Sequence, residues 1–168
     1  MILMKPLLLF ILLKLSWCWK NQLDEPLRFE CPWGSAISTI RSAHNNWAED
    51  RQWDFGCRRM QGNFRSCRWS GILNDWDKML AYQCPNSGYI VGMFSYHLNH
   101  YEDRRHEVKC CQPKGNVHTK NCYFTPVTEY DGYFSRRVPT GYMWAGLVSN
   151  HFDKTEDRIF SFLFCKLK

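Results

Sequence analysis

With 168 residues, 45% of them hydrophobic, the chain is long enough for one domain with its own core and too short for several. A formal charge of +6, from 22 basic and 16 acidic residues, would permit nucleic acid on charge alone, but the cysteine count and the leader described next point to a secreted chain, where nucleic acid is not an expected partner. No GxSxG, HExxH or P-loop is present, so the common hydrolase, metalloprotease and nucleotide-binding classes are excluded and no enzyme is expected.

In chain order, the first predicted element is a leader. Lys5 precedes the apolar block Pro6 to Leu13, which is too short to cross a bilayer and sits where a signal peptide belongs. Ser16 and Cys18 suit the minus-three and minus-one positions of a cleavage site, so residues 1–18 are read as the signal peptide and 19–168 as a single domain. Removing Lys5 and Lys14 with the leader lowers the charge from +6 to about +4. No second long apolar run follows, so no membrane insertion is expected. The mature chain keeps eight cysteines, an even number that in a secreted protein argues for disulfides over a reactive thiol.

Three segments follow, at approximately 29–66, 82–121 and 138–168, and they share a pattern. Each contains Glu-Asp-Arg: Glu49, Asp50, Arg51; Glu102, Asp103, Arg104; Glu156, Asp157, Arg158. The aspartates lie 53 and 54 residues apart. Six residues before each stands a histidine (His44, His97, His151), and eight before, a serine (Ser42, Ser95, Ser149). Upstream of the triplets, SAISTIRSAH, YIVGMFSYHL and MWAGLVSNHF are rich in β-branched and aromatic residues. Downstream, Trp53, Phe55 and Cys57 share one face of a period-two strand, as do His106, Val108 and Cys110, and Phe160, Phe162 and Phe164. Each segment therefore reads as a β-hairpin, and Gly, Pro and Asn make residues 59–83 and 112–138 loop-rich with short strands, with a helical turn or two admissible in Ser70 to Gln83. The expected fold is all-β: a disulfide-stapled domain of three pseudo-symmetric hairpin repeats, trefoil- or prism-like, with an irregular sandwich as the alternative. Repeat logic pairs Cys31 with Cys57, Cys84 with Cys110, Cys67 with Cys111 and Cys122 with Cys165. Eight cysteines allow 105 pairings, and the adjacency of Cys110 and Cys111 leaves a partner exchange open.

FECPWG (Phe29 to Gly34), YQCPNSG (Tyr82 to Gly88), the EDRQW element and the Cys110-Cys111 pair together resemble the dermatopontin family over nearly the whole mature chain. The likeness is greatest to its invertebrate branch of haemagglutinins and amebocyte aggregation factors, because the tyrosine-rich acidic segment of the vertebrate proteins is missing and the chain is basic. The resemblance implies a secreted, non-catalytic adhesion or matrix protein without a cofactor.

Two roles are open for the Glu-Asp-Arg triplets. Aspartate can cap backbone N–H groups and arginine can lock neighbouring repeats together. Alternatively, these residues with Trp53 and the three histidines form ligand sites, carboxylate and guanidinium holding sugar hydroxyls or acid groups. The histidines invite a three-nitrogen metal site, but the preferred reading has no metal. Arg58, Arg59, Arg65 and Arg68, with the pairs Arg104-Arg105 and Arg136-Arg137, suggest anionic glycans among the partners. Trp47, Trp69, Trp76 and Tyr101 fall in predicted loops as candidate stacking surfaces. The functional expectation is a cell-aggregating, glycan-binding agglutinin in adhesion or innate defence. The alternatives are a matrix protein that binds other matrix proteins and a binder of lipopolysaccharide.

Overall fold

The computed structural model describes residues 19–60, 64–115 and 117–168, with only the backbone of Arg65; the expected leader lies outside the described residues. The all-β expectation holds: eleven strands form three sheets, with no helix among the described residues. The strands are β1 (Leu27–Glu30), β2 (Ser35–Asn45), β3 (Asp50–Arg59), β4 (Phe64–Trp69), β5 (Leu80–Gln83), β6 (Tyr89–Leu98), β7 (Asp103–Pro113), β8 (Thr119–Phe124), β9 (Tyr133–Arg137), β10 (Tyr142–Phe152) and β11 (Asp157–Leu167).

A long antiparallel hairpin forms the heart of each sheet: β2 with β3, β6 with β7, β10 with β11. Asn45 pairs with Asp50, Leu98 with Asp103 and Phe152 with Asp157, so each connection is four residues long and ends on the glutamate of a triplet. Those glutamates adopt left-handed backbone, at φ 46° for Glu49, 42° for Glu102 and 44° for Glu156. A further strand reaches each hairpin from the preceding stretch of chain in cyclic order. β1 adds to β6, β5 to β10, and β9 returns to β2. No periodicity could announce this closure, because the partner strand lies far away in sequence.

Alternation builds the core. Trp53, Phe55, Val108, Phe160, Phe162 and Phe164 point inward from β3, β7 and β11 and meet Ile37, Ile40, Met93, Trp144 and Leu147 from the opposite hairpin strands. Disulfides join Cys31 to Cys57, Cys84 to Cys110, Cys67 to Cys111 and Cys122 to Cys165. The last two tie outer strands β4 and β8 to their hairpins. The first repeat carries Arg58 where the others carry Cys111 and Cys165, and its sheet has three strands where theirs have four.

The helical turn admitted for Ser70 to Gln83 does not form. Ser70 and Asn74 bond along β7 instead: the Ser70 N–H donates to the Val108 carbonyl, and Asn74 Oδ1 accepts the His106 N–H. Asp77 then turns the chain at φ 58° into β5. Trp69, expected in a loop, closes β4, with Arg28 and Lys109 over its ring.

Candidate functional site

The cyclic strand exchange brings the three triplets to one place. Arg51 grips Asp157, with Nε to Oδ1 at 2.5 Å and Nη2 to Oδ2 at 2.6 Å. Arg104 grips Asp50 at 2.5 and 2.7 Å, and Arg158 grips Asp103 at 2.5 and 2.7 Å. Each arginine thus holds the aspartate of the repeat before it, and three forked pairs close a ring. All six side chains are buried.

Residues that the sequence reading passed over complete the ring. Each aspartate also accepts a backbone N–H from 26 residues earlier: Asp24 to Asp50 at 2.8 Å, Asp77 to Asp103 at 2.9 Å and Asp131 to Asp157 at 2.9 Å. Asn21 and Asn74 clamp β3 and β7 through the carbonyls of Arg51 and Arg104 and the N–H groups of Trp53 and His106. Thr128 accepts the Phe160 N–H in the third repeat. The signal was present: Asn21 to Asn74 and Asp24 to Asp77 and Asp131 repeat the same offsets of 53 and 54 residues. Repeats drawn from residue 29 left them out.

Beneath the ring, Trp53, His106 and Phe160 occupy equivalent positions and pack edge to face, with centroids 5.1 Å apart for Trp53 and Phe160 and 5.9 Å for His106 and Phe160. Burial pushes the His106 imidazole down to about 3, helped by the Arg158 charge, and neither ring nitrogen has a hydrogen-bond partner.

His44, His97 and His151 line the same central cavity, together with Glu49, Glu102 and Glu156. At about 20 Å³ it has room for one water and none for a sugar ring. His97 sits between carboxylates, 3.2 Å from Asp50 Oδ1 and 3.1 Å from Glu102 Oε2. Burial alone would lower its pKa, but the Asp50 carboxylate beside it raises it. Burial likewise opposes ionisation of Asp50, and the adjacent His97 imidazole and the Arg104 hydrogen bonds overcome it, holding the carboxyl well below the usual range. Asp103 is lowered in the same way, chiefly by Arg158 against burial. Asp24, Asp50 and His97, and also His44, Asp131 and Asp157, present donor atoms within 4.8 Å of one another. Both oxygens of Asp50 and of Asp157 already accept from a guanidinium, so a cation there would compete with an arginine.

The arginines of the runs fall into different environments. Arg58 donates to the carbonyls of Val138, Pro139 and Tyr142. Arg104 belongs to the ring and Arg105 pairs with Asp75, whereas Arg59, Arg68 and Arg137 are exposed. At the hairpin connections two aromatics face solvent, Trp47 at 93% exposed and Tyr101 at 37%, beside the exposed polar residues Asn46, Asn99, His100, Asp153 and Lys154.

Three cyclically joined hairpin sheets, an ion-pair ring and four disulfides define a class of small stapled β-domain with buried polar closure and open connecting loops. Residues 21–168 match dermatopontin, and the chain belongs to the dermatopontin family. It is 38% identical to the hemagglutinin/amebocyte aggregation factor of Limulus polyphemus, over 96% of this chain and 95% of that one. It is 36% identical to dermatopontin of Biomphalaria glabrata, over 87% of this chain and 98% of that one. With Millepora cytotoxin-1 of Millepora dichotoma it shares 39% identity over 86% of its length, spanning 65% of the longer protein. No solved structure matches.

Proposed function

We propose that this chain is a secreted, non-catalytic agglutinin that bridges cells by holding glycans at several weak surface contacts. The observation that carries the reading is the end-to-end likeness to a hemagglutinin and aggregation factor, which leaves no additional domain in that relative to supply its activity. Four disulfides and the apolar leader support secretion. In this reading Asp50, Arg51, Asp103, Arg104, Asp157 and Arg158 are architecture, because their hydrogen bonds are spent on one another; ligand contact falls to the exposed connections and the strand faces beside them. Bridging needs more than one contact per particle, and weak contacts gain from being linked.

A matrix role is the second reading, supported by the likeness to a dermatopontin along nearly that protein's entire length. Red-cell agglutination by the purified mature protein, with free saccharides and heparin as competitors, separates the two. Agglutination reversed by a saccharide is expected. A protein that binds matrix proteins, agglutinates nothing and ignores sugars would overturn the agglutinin reading.

A further inference from the structure

Three copies of one unit provide an internal control: a residue that the fold demands recurs, and one that a single repeat has for itself does not. By that measure one surface stands out. On the solvent face of β6 and β7, Tyr96 lies directly opposite Arg105. Trp76 packs over both, edge-on to Tyr96 at 5.5 Å and with the Arg105 guanidinium 4.9 Å from its ring centroid. Tyr101 stacks on Trp76 at 5.2 Å and 9°. Arg105 Nη2 donates to Asp75 Oδ1 at 2.6 Å, while Arg105 Nε has no hydrogen-bond partner.

The other repeats build the same hairpin without this group. At the positions of Trp76, Tyr96, Tyr101 and Arg105 the first repeat has Leu23, Ala43, Ala48 and Gln52, and the third has Tyr130, Asn150, Thr155 and Ile159. The hairpin itself thus forms in two other repeats without the platform.

We infer that this face of the second repeat is a saccharide site for a neutral hexose, an inference that rests on the glycan-binding reading above. A pyranose offers an apolar face of C–H groups that suits an aromatic ring, and Tyr101 ends the stack, with the His100 ring edge-on to it at 4.8 Å and 37% of its surface open. Its hydroxyls both donate and accept, which matches the rim: the Asp75 carboxylate, with its side chain 79% exposed, accepts, and the Arg105 guanidinium donates. Asp75 already neutralises Arg105, so an acidic sugar would meet a carboxylate instead of a free cation. The third repeat's counterpart, Tyr130 against Phe152 at 5.5 Å, is a smaller platform without the arginine.

The test gives the second repeat the first repeat's residues. Mature wild-type protein, the triple variant Trp76→Leu, Tyr101→Ala, Arg105→Gln and the single variant Tyr101→Ala are compared on a glycan array and titrated with the methyl glycosides of galactose, glucose and mannose, followed by NMR. Thermal unfolding of each is recorded alongside. The expected result is that wild type binds at least one neutral hexose and that the triple variant, still folded, loses about tenfold or more in affinity. Tyr101→Ala, at an exposed position, should weaken binding with an unchanged unfolding midpoint, which covers the case in which the triple variant does not fold. Hexose binding that survives in both variants overturns this site and leaves the glycan reading standing. A wild type that binds only anionic glycans also overturns it. Failure to bind any glycan overturns both readings.

Discussion

Arg104 shows at the scale of one residue what the repeated triplet does. Its guanidinium donates to the Ser95 hydroxyl in its own hairpin and reaches out of the repeat to Asp50 and the Glu25 carbonyl, and it is buried. Truncating such a residue leaves a buried carboxylate without its partner, which typically costs about 3–5 kcal/mol. Arg104→Ala is therefore expected to lower stability by that amount in chemical unfolding, whereas Arg59→Ala, at an exposed position, should change it by less than about 0.5 kcal/mol. His106 makes a prediction of its own. The folded protein binds its proton only near pH 3, the unfolded chain near 6.5, so between these values the unfolded state holds more protons and stability falls as pH falls. The loss is up to about 1.4 kcal/mol per pH unit. His97 has the opposite sign: its raised pKa adds stability below about pH 6.5 that disappears as pH rises through the folded value. Asp50 and Asp103, both lowered, add stability that is lost only at more acidic pH, below about 4. Replacing His106 by the residue the third repeat uses, His106→Phe, isolates the first effect. The stability gained over wild type should grow steadily from pH 6.5 toward 4; a gain that does not vary with pH would show that His106 is not held neutral. The triplets and histidines were legible in sequence because their spacing is fixed, but their direction was not, since nothing local says that an arginine bonds the neighbouring repeat's aspartate.

Among the elements, the hairpins were legible for the same reason that they form: inward apolar residues alternate with outward polar ones, and a four-residue connection returns the chain. The pairing of their third strands was not. β1, β5 and β9 are four or five residues long and pair with hairpins more than fifty residues away in sequence, so only the folded chain shows them as part of a sheet. Glycine marks two of these junctions. At Gly92 a Cβ would stand 2.8 Å from the Phe29 carbonyl oxygen, and at Gly146 it would press on that of Tyr82. Both sit at bulges where the third strand approaches. Gly146→Ala should therefore push β5 off β10 and cost about 1–3 kcal/mol. In hydrogen exchange, the amides joining these two strands should lose protection before those between β10 and β11. Equal loss along the whole sheet would contradict the close approach as the cause.

Over the whole molecule, three similar units close a ring and then diverge at their surfaces. The closure consumes the residues that looked most like a repeated ligand site: each Asp-Arg pair is complete, and the cavity they share holds no more than a water. In the agglutinin reading proposed above, binding then falls to positions that differ among repeats, such as Trp47, Tyr101 and Lys154 at the connections. The environment of each arginine was not legible in the charge runs for a physical reason: an arginine's sequence neighbours do not reveal whether its guanidinium faces solvent, a carbonyl or a carboxylate. The most direct measurement is the agglutination titre of a ring variant per folded molecule. Asp50→Leu with Arg104→Met removes one ion pair without leaving a lone buried charge, a replacement that other buried pairs often tolerate. With the folded fraction fixed by circular dichroism, the titre should stay within about twofold of wild type, a difference below about 0.5 kcal/mol. A folded variant that no longer agglutinates would contradict the account and return the Glu-Asp-Arg triplets to the ligand.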